Sequence, residues 1–181
     1  EESPYDLSSL IDASLRLTGL AAGRINEQRQ LTSPYIRVRS LNDIVTLQPP
    51  DPEPFSKPAT PLSDLALAGK HRVKVKGIAL SGPLAGGLFL RDSKGAGSIY
   101  VQSPNLPLVT AGDSVEAVGF TQTGTFSAQL AHAVCRVVKH KGKPPSPLQP
   151  SIAVLSKGLD AELITLELNV LQRVNRPMHV E

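Results

Sequence analysis

Apolar and polar positions alternate with a period of two at 15–17, 36–38, 73–75, 88–90, 99–101, 115–119 and 134–138. Such alternation marks β-strands with one buried face, so the chain is predicted to be all-β. Short gaps holding Gly, Asp, Ser and Asn join the runs. They suit antiparallel hairpins, because parallel neighbours need long crossovers. The clearest turn is RDSKGAGS at 91–98. Two proline-dense stretches without periodicity, QPPDPEPFSKPATP at 48–61 and KGKPPSPLQP at 141–150, read as semi-rigid linkers. Each precedes a short apolar stretch, 62–68 and 152–155, predicted to make one or two helical turns, with Ser63 and Asp64 capping the first. Between the linkers, strands are expected near 71–80, 86–92, 97–102, 113–121 and 128–139. Five short strands with Gly at the bends predict a small Greek-key barrel of the OB type. A β-sandwich, the second choice, ordinarily uses about seven strands.

Part of this pattern occurs twice. Residues 12–47 and 113–140 each run from an Asp into an alternating strand that stops at Gly19 or Gly119. A polar turn, a second strand and a proline-rich exit then follow in both. A looser pairing matches GKHRVKVKGIA at 69–79 with GLDAELITLELNV at 158–170. Repetition on this scale signals tandem modules. The implied layout is the C-terminal part of one OB-like module at 1–47, a complete module at 62–140 and the start of a further one at 151–181. In the run at 162–173, Ile164, Leu166 and Leu168 would form an unburied stripe. That run is therefore expected to pair with the N-terminal half module, within one chain or across a homodimer joined through the terminal strands.

Residues VKVKGIA at 73–79, GLFLRDSKGAGSIYVQ at 87–102 and LVTAGDSVEAVGF at 108–120 carry a resemblance. So do NEQRQL at 26–31 and VRSLNDIVTL at 38–47. The chain resembles the tandem OB-like repeats in the extracytoplasmic sensory region of bacterial histidine kinases and diguanylate cyclases. Ile25 stands where that pattern carries an aromatic, and Gln28 where it carries a second arginine. The resemblance implies an OB-like fold in a periplasmic part of an inner-membrane two-component receptor, with any kinase or cyclase module outside this chain. Its motifs are turn and core patterns, which speak to fold and not to catalysis.

Composition narrows the chemistry. Hydrophobic residues make up 40% of the 181 residues, yet the aromatics are four Phe and three Tyr, with no Trp. Aliphatic side chains must fill the cores. The formal charge of +3 is modest for a dedicated nucleic-acid face and argues against nucleic acid as the partner. A single cysteine, Cys135, excludes an internal disulfide and a cysteine-based zinc cluster. Its apolar setting, AVCRVV, suits a buried structural thiol. No run approaches the roughly 18 apolar residues of a membrane helix, so contact with a membrane is expected only through segments outside this chain.

The alternation puts Val73, Val75, Leu88, Leu90, Ile99 and Val101 on the core side. Lys74, Lys76, Phe89, Arg91, Tyr100 and Gln102 then share the opposite side with Arg72. In OB folds the outer face of strands two and three binds oligonucleotides and oligosaccharides, and basic residues around aromatics suit stacking of bases or sugars. Those six residues are the candidate ligand contacts. The alternative is that the aromatics pack against a neighbouring module or a short helix. SGPLAGG at 81–87 lacks the Lys and Ser/Thr of a phosphate loop and does not open a helix. It is the loop that in an OB fold lies beside the ligand. His71, His132, His140 and His179 lack metal-ligand spacing, and KHKGK at 139–143 reads as a surface turn. No paired carboxylates or partnered nucleophile support an active site, and no cofactor is expected. The leading expectation is a non-catalytic sensory region binding a small ligand or a partner protein. The rival is a cytoplasmic OB module for single-stranded nucleic acid or oligosaccharide, and a third possibility is a structural spacer.

Overall fold

A computed structural model describes residues 7–67, 69–92, 97–124, 127–156 and 159–169. The chain divides into two units, Glu1–Ser56 and Lys57–Glu181, and the boundary falls within the proline-rich stretch at 48–61.

In the first unit β1 (Ser14–Leu17) pairs antiparallel with β4 (Ile44–Gln48), and β2 (Leu20–Ile25) with β3 (Leu31–Arg37). Local bonds make its turns. Asn26 donates its N–H to the Gln30 carbonyl at 3.0 Å, while its side-chain oxygen accepts the Gln30 N–H at 2.9 Å. The Ser40 hydroxyl donates to Asp43 at 3.2 Å ahead of β4. The NEQRQL and SLND motifs are thus turn builders.

The second unit contains β5 (Val73–Ala79), β6 (Gly87–Arg91), β7 (Ser98–Gln102), β8 (Ser114–Thr123) and β9 (Ala128–Lys139). They close a barrel in the order β5-β6-β7-β9-β8, the OB-type Greek key that the alternation predicts. One contact departs from an all-antiparallel arrangement: β7 and β9 run parallel at Val101 and Leu130. Closing five strands brings the last beside the third in the same direction. Here the loop after β7 together with β8 serves as the crossover, where a parallel pair would ordinarily use a helix. The turn residues 93–96, the centre of the expected hairpin at 91–98, lie outside the described residues.

Val75, Leu88, Leu90, Ile99 and Val101 are at most 1% exposed, and Val115, Ala117, Leu130 and Ala133 complete the core with them. Val73 packs at its edge. Leu65 joins this core from a 3-10 turn, Leu62–Leu67. Ser63 and Asp64, expected as caps, lie inside that turn, with the Ser63 hydroxyl donating to the Asp64 carboxylate at 2.8 Å. The second apolar stretch forms α1 (Ile152–Leu155), a single turn.

The repeated segments form comparable bent hairpins. The β8–β9 register slips between Val118 and Phe120. At the matching place in the first unit, β1–β4 pairing gives way to β2–β3. A Cβ on Gly119 would stand 2.8 Å from the Ala131 carbonyl oxygen, and one on Gly19 would strike the Arg37 carbonyl and the Ile36 side chain. Only glycine permits that approach. The hairpins differ in cover. Strands β5–β7 bury the apolar face of β8–β9, whereas Leu20, Ile25 and Leu31 stay 76%, 64% and 62% exposed.

Asp113, 1% exposed, ties the start of β8 to the exit of β9. It accepts the Thr110 N–H at 2.9 Å, the Thr110 hydroxyl at 3.1 Å and the Lys141 N–H at 2.8 Å, and His140 Nδ1 lies 3.3 Å away. The Thr110 N–H is the chief cause of a carboxyl pKa lowered to about 2. Burial opposes that shift, while Lys141, His140 and the Thr110 hydroxyl reinforce it.

Leu90→Ala is expected to cost about 2–5 kcal/mol in urea unfolding, and Val101→Ala to be clearly destabilising, whereas Phe89→Ala and Tyr100→Ala cost about 1 kcal/mol. Equal losses in all four would mean that the strand faces are misassigned. Asp113, being depressed when folded, stabilises the protein above its unfolded pKa, near 3.8, and that contribution fades as pH falls towards about 2. Asp113→Asn should therefore lower the melting temperature at pH 7, with the gap to wild type closing between about pH 4 and pH 2. A gap independent of pH would contradict this.

Candidate ligand-binding site

Phe89 and Tyr100 face each other across β6 and β7, as their shared register requires. Their ring centroids lie 5.0 Å apart at 44°, within the range of favourable aromatic pairs. A Cβ on Gly87 would sit 2.6 Å from the Tyr100 ring, so glycine at the start of β6 makes room for it. The Tyr100 hydroxyl donates to the Ala85 carbonyl, fastening the β5–β6 loop to this face.

Arg91, at the end of β6, is already engaged by the chain itself. Its Nη2 and Nε donate to Glu162 Oε2 at 2.7 and 3.0 Å, and its Nη1 donates to the Ser146 carbonyl at 2.8 Å. The two side chains are 14% and 8% exposed. Leu148 and Ile164 form a parallel bridge, with the Leu148 N–H donating to Leu163 and the Thr165 N–H donating to Leu148. Asp160 accepts the Ser127 hydroxyl at 2.6 Å. Residues 146–148, within the stretch expected as a linker, and residues 159–165 thus fold back as a strap over β6. The expected strand at 162–173 is described as far as Asn169, and Leu148 bridges its first part.

A cavity of about 270 Å³ lies between strap and barrel. Leu80, Leu84 and Phe89 line the barrel side, and Leu159, Leu163 and Ile164 line the strap side.

Phe89, Tyr100 and Arg91 are brought together, but the basic stripe does not join them. β5 meets β6 only at Ile78 and Ala79, while Lys74 and Lys76 stand opposite Val118 and Glu116 on β8. Gln102, exposed, sits opposite Gly87 at the other end of β6 from Arg91. Glu162 and the strap leucines escaped the sequence reading. The available signal was an acid within an apolar run, ELITLEL, without a local partner.

Burial pushes the half-buried Cys135 thiol up to about 11, offset in part by a hydrogen bond with Ser103. A thiol held that high is a poor nucleophile at neutral pH. Among the described residues, no group of three or more His, Cys, Asp or Glu could hold a metal, and no helix is long and apolar enough to cross a membrane.

No family model matches the chain. It is similar to PDZ and LIM domain protein 4 of Bos taurus, at 34% identity over 105 residues, covering 54% of this chain and 31% of that protein. The chain thus spans about a third of that relative's length.

Arg91→Ala leaves Glu162 buried without its counter-charge, the costly way to break such a pair. Amide exchange at Leu148 and Thr165 is expected to accelerate at least tenfold, with the β8–β9 amides unchanged. Unaltered exchange at those two amides would show that the ion pair does not hold the strap.

Proposed function

We propose that the chain is a non-catalytic binding region from the extracytoplasmic part of a bacterial signal-transduction receptor, with the outer face of β6 and β7 as its ligand or partner face. The observation that carries this reading is the strap. The chain leaving the barrel returns across the β6 face through Arg91, Glu162 and Ser146, so an occupant of that face displaces or fixes the exit segment. A sensory region needs such a link between occupancy and chain path. The resemblance carried by 26–31, 38–47 and 73–120 supplies the receptor context and the periplasmic side. The partial similarity to PDZ and LIM domain protein 4 adds little, since a LIM zinc site needs clustered cysteines and histidines and this chain has one cysteine.

The OB-type barrel and the Phe89–Tyr100 pair favour a second reading, a single-stranded nucleic-acid or oligosaccharide module. Against it, Arg91 is engaged by Glu162, and Lys74 and Lys76 lie on the β8 side of β5.

Titrating a fluorescent single-stranded oligonucleotide at two salt concentrations separates the two. Phosphate contacts release counterions, so genuine binding weakens steeply with salt. No micromolar binding is expected. Tight, salt-sensitive binding would favour the second reading, and a complete reading frame lacking both a transmembrane helix and a kinase or cyclase module would defeat the first.

A further inference from the structure

The geometry points to a ligand class for the cavity under the strap: a small uncharged aromatic molecule of two or three rings bearing one hydrogen-bond donor. This deepens the proposed function and rests on its choice of the β6 face as the binding face.

Size comes first. An apolar cavity of about 150 Å³ holds benzene, so about 270 Å³ takes a larger ring system. Charge comes second. The ionic group on the wall is Glu162, and Arg91 neutralises it at 2.7 Å. With that pair already made, an ionic ligand of either sign meets no free counter-charge among the lining residues, and burial of an unpaired charge is costly. Shape comes third. The Phe89 ring, backed by Tyr100 at 5.0 Å, lines the cavity together with Leu163 and Ile164, and an aromatic ligand gains more than an aliphatic chain beside such a ring.

The donor follows from Ser81, which also lines the cavity. Its hydroxyl hydrogen is given to the Gly82 carbonyl at 2.8 Å, which leaves its oxygen as an acceptor. A single N–H or O–H on the ligand satisfies it.

N-phenyl-1-naphthylamine is uncharged, aromatic and carries one N–H, so it serves as the probe, titrated into the intact chain and followed by its fluorescence. Saturable one-to-one binding is expected, with little change between low and high salt. Leu84→Asp places a carboxylate at the cavity mouth on a side chain already 60% exposed, and should weaken binding at least tenfold. Leu20→Asp, at a residue 76% exposed in the first unit, should leave it unchanged. Absence of saturable binding, or binding that Leu20→Asp weakens and Leu84→Asp does not, overturns the ligand class and leaves the receptor reading standing. Displacement of the probe by an oligonucleotide in a salt-dependent manner overturns the receptor reading itself.

Discussion

Arg91 is the side chain on which the organisation of the second unit's proposed binding face depends. A guanidinium offers five donors in a planar fork. Arg91 directs two of them to Glu162 and a third to the Ser146 carbonyl, joining β6 to two segments that follow the barrel. With Glu162 8% exposed, loss of the arginine would leave a nearly buried carboxylate without its counter-charge, which costs far more than the pair itself contributes. Without the arginine the carboxylate would return to water and the strap would lift; with it, the paired Glu162 can stay docked. That fixes one wall of the cavity above Phe89.

The barrel beneath is determined by simpler physics. Its aliphatic side chains alternate with period two, so the strand faces were legible at Val75, Leu88, Leu90, Ile99 and Val101, and the five strands fall within about two residues of their expected bounds. The Gly19 and Gly119 breaks were legible as well, because a bend that brings one strand onto another's carbonyl admits no side chain. What could not be read is non-local. Arg91 and Glu162 lie 71 residues apart, and no periodicity links a charge to a partner at that distance. That Lys74 and Lys76 pair along β8 was illegible for the same reason. Alternation tells which side of β5 a residue occupies, but not whether β6 or β8 runs beside it.

The two related hairpins separate local from tertiary causes. In the first unit, Asn26 with Gln30 and Ser40 with Asp43 bond across three or four residues, so the turns follow from short-range chemistry. Burial does not follow from it. A hairpin becomes independently stable when further strands or a helix cover its apolar face, as β5, β6 and β7 do for β8–β9. The exposure of Leu20, Ile25 and Leu31 among the described residues thus reflects what packs on a hairpin, not the hairpin sequence.

Electrostatics then decides what the cleft over β6 can recognise. Glu116 is paired with Arg136, Asp113 is saturated by Thr110 and Lys141, and Glu162 is paired with Arg91. Glu162, the carboxylate lining the cleft, is paired within the fold, so on the proposed function affinity comes mainly from apolar area, at about 25 cal/mol per Å². Leu159, Leu163 and Ile164 supply half of that apolar wall, and they belong to the strap. A ligand buried against them stabilises the docked strap by as much as it prefers that state to the open one. On the proposed function, binding and the path of the exiting chain are therefore one equilibrium, with Arg91 setting its starting point.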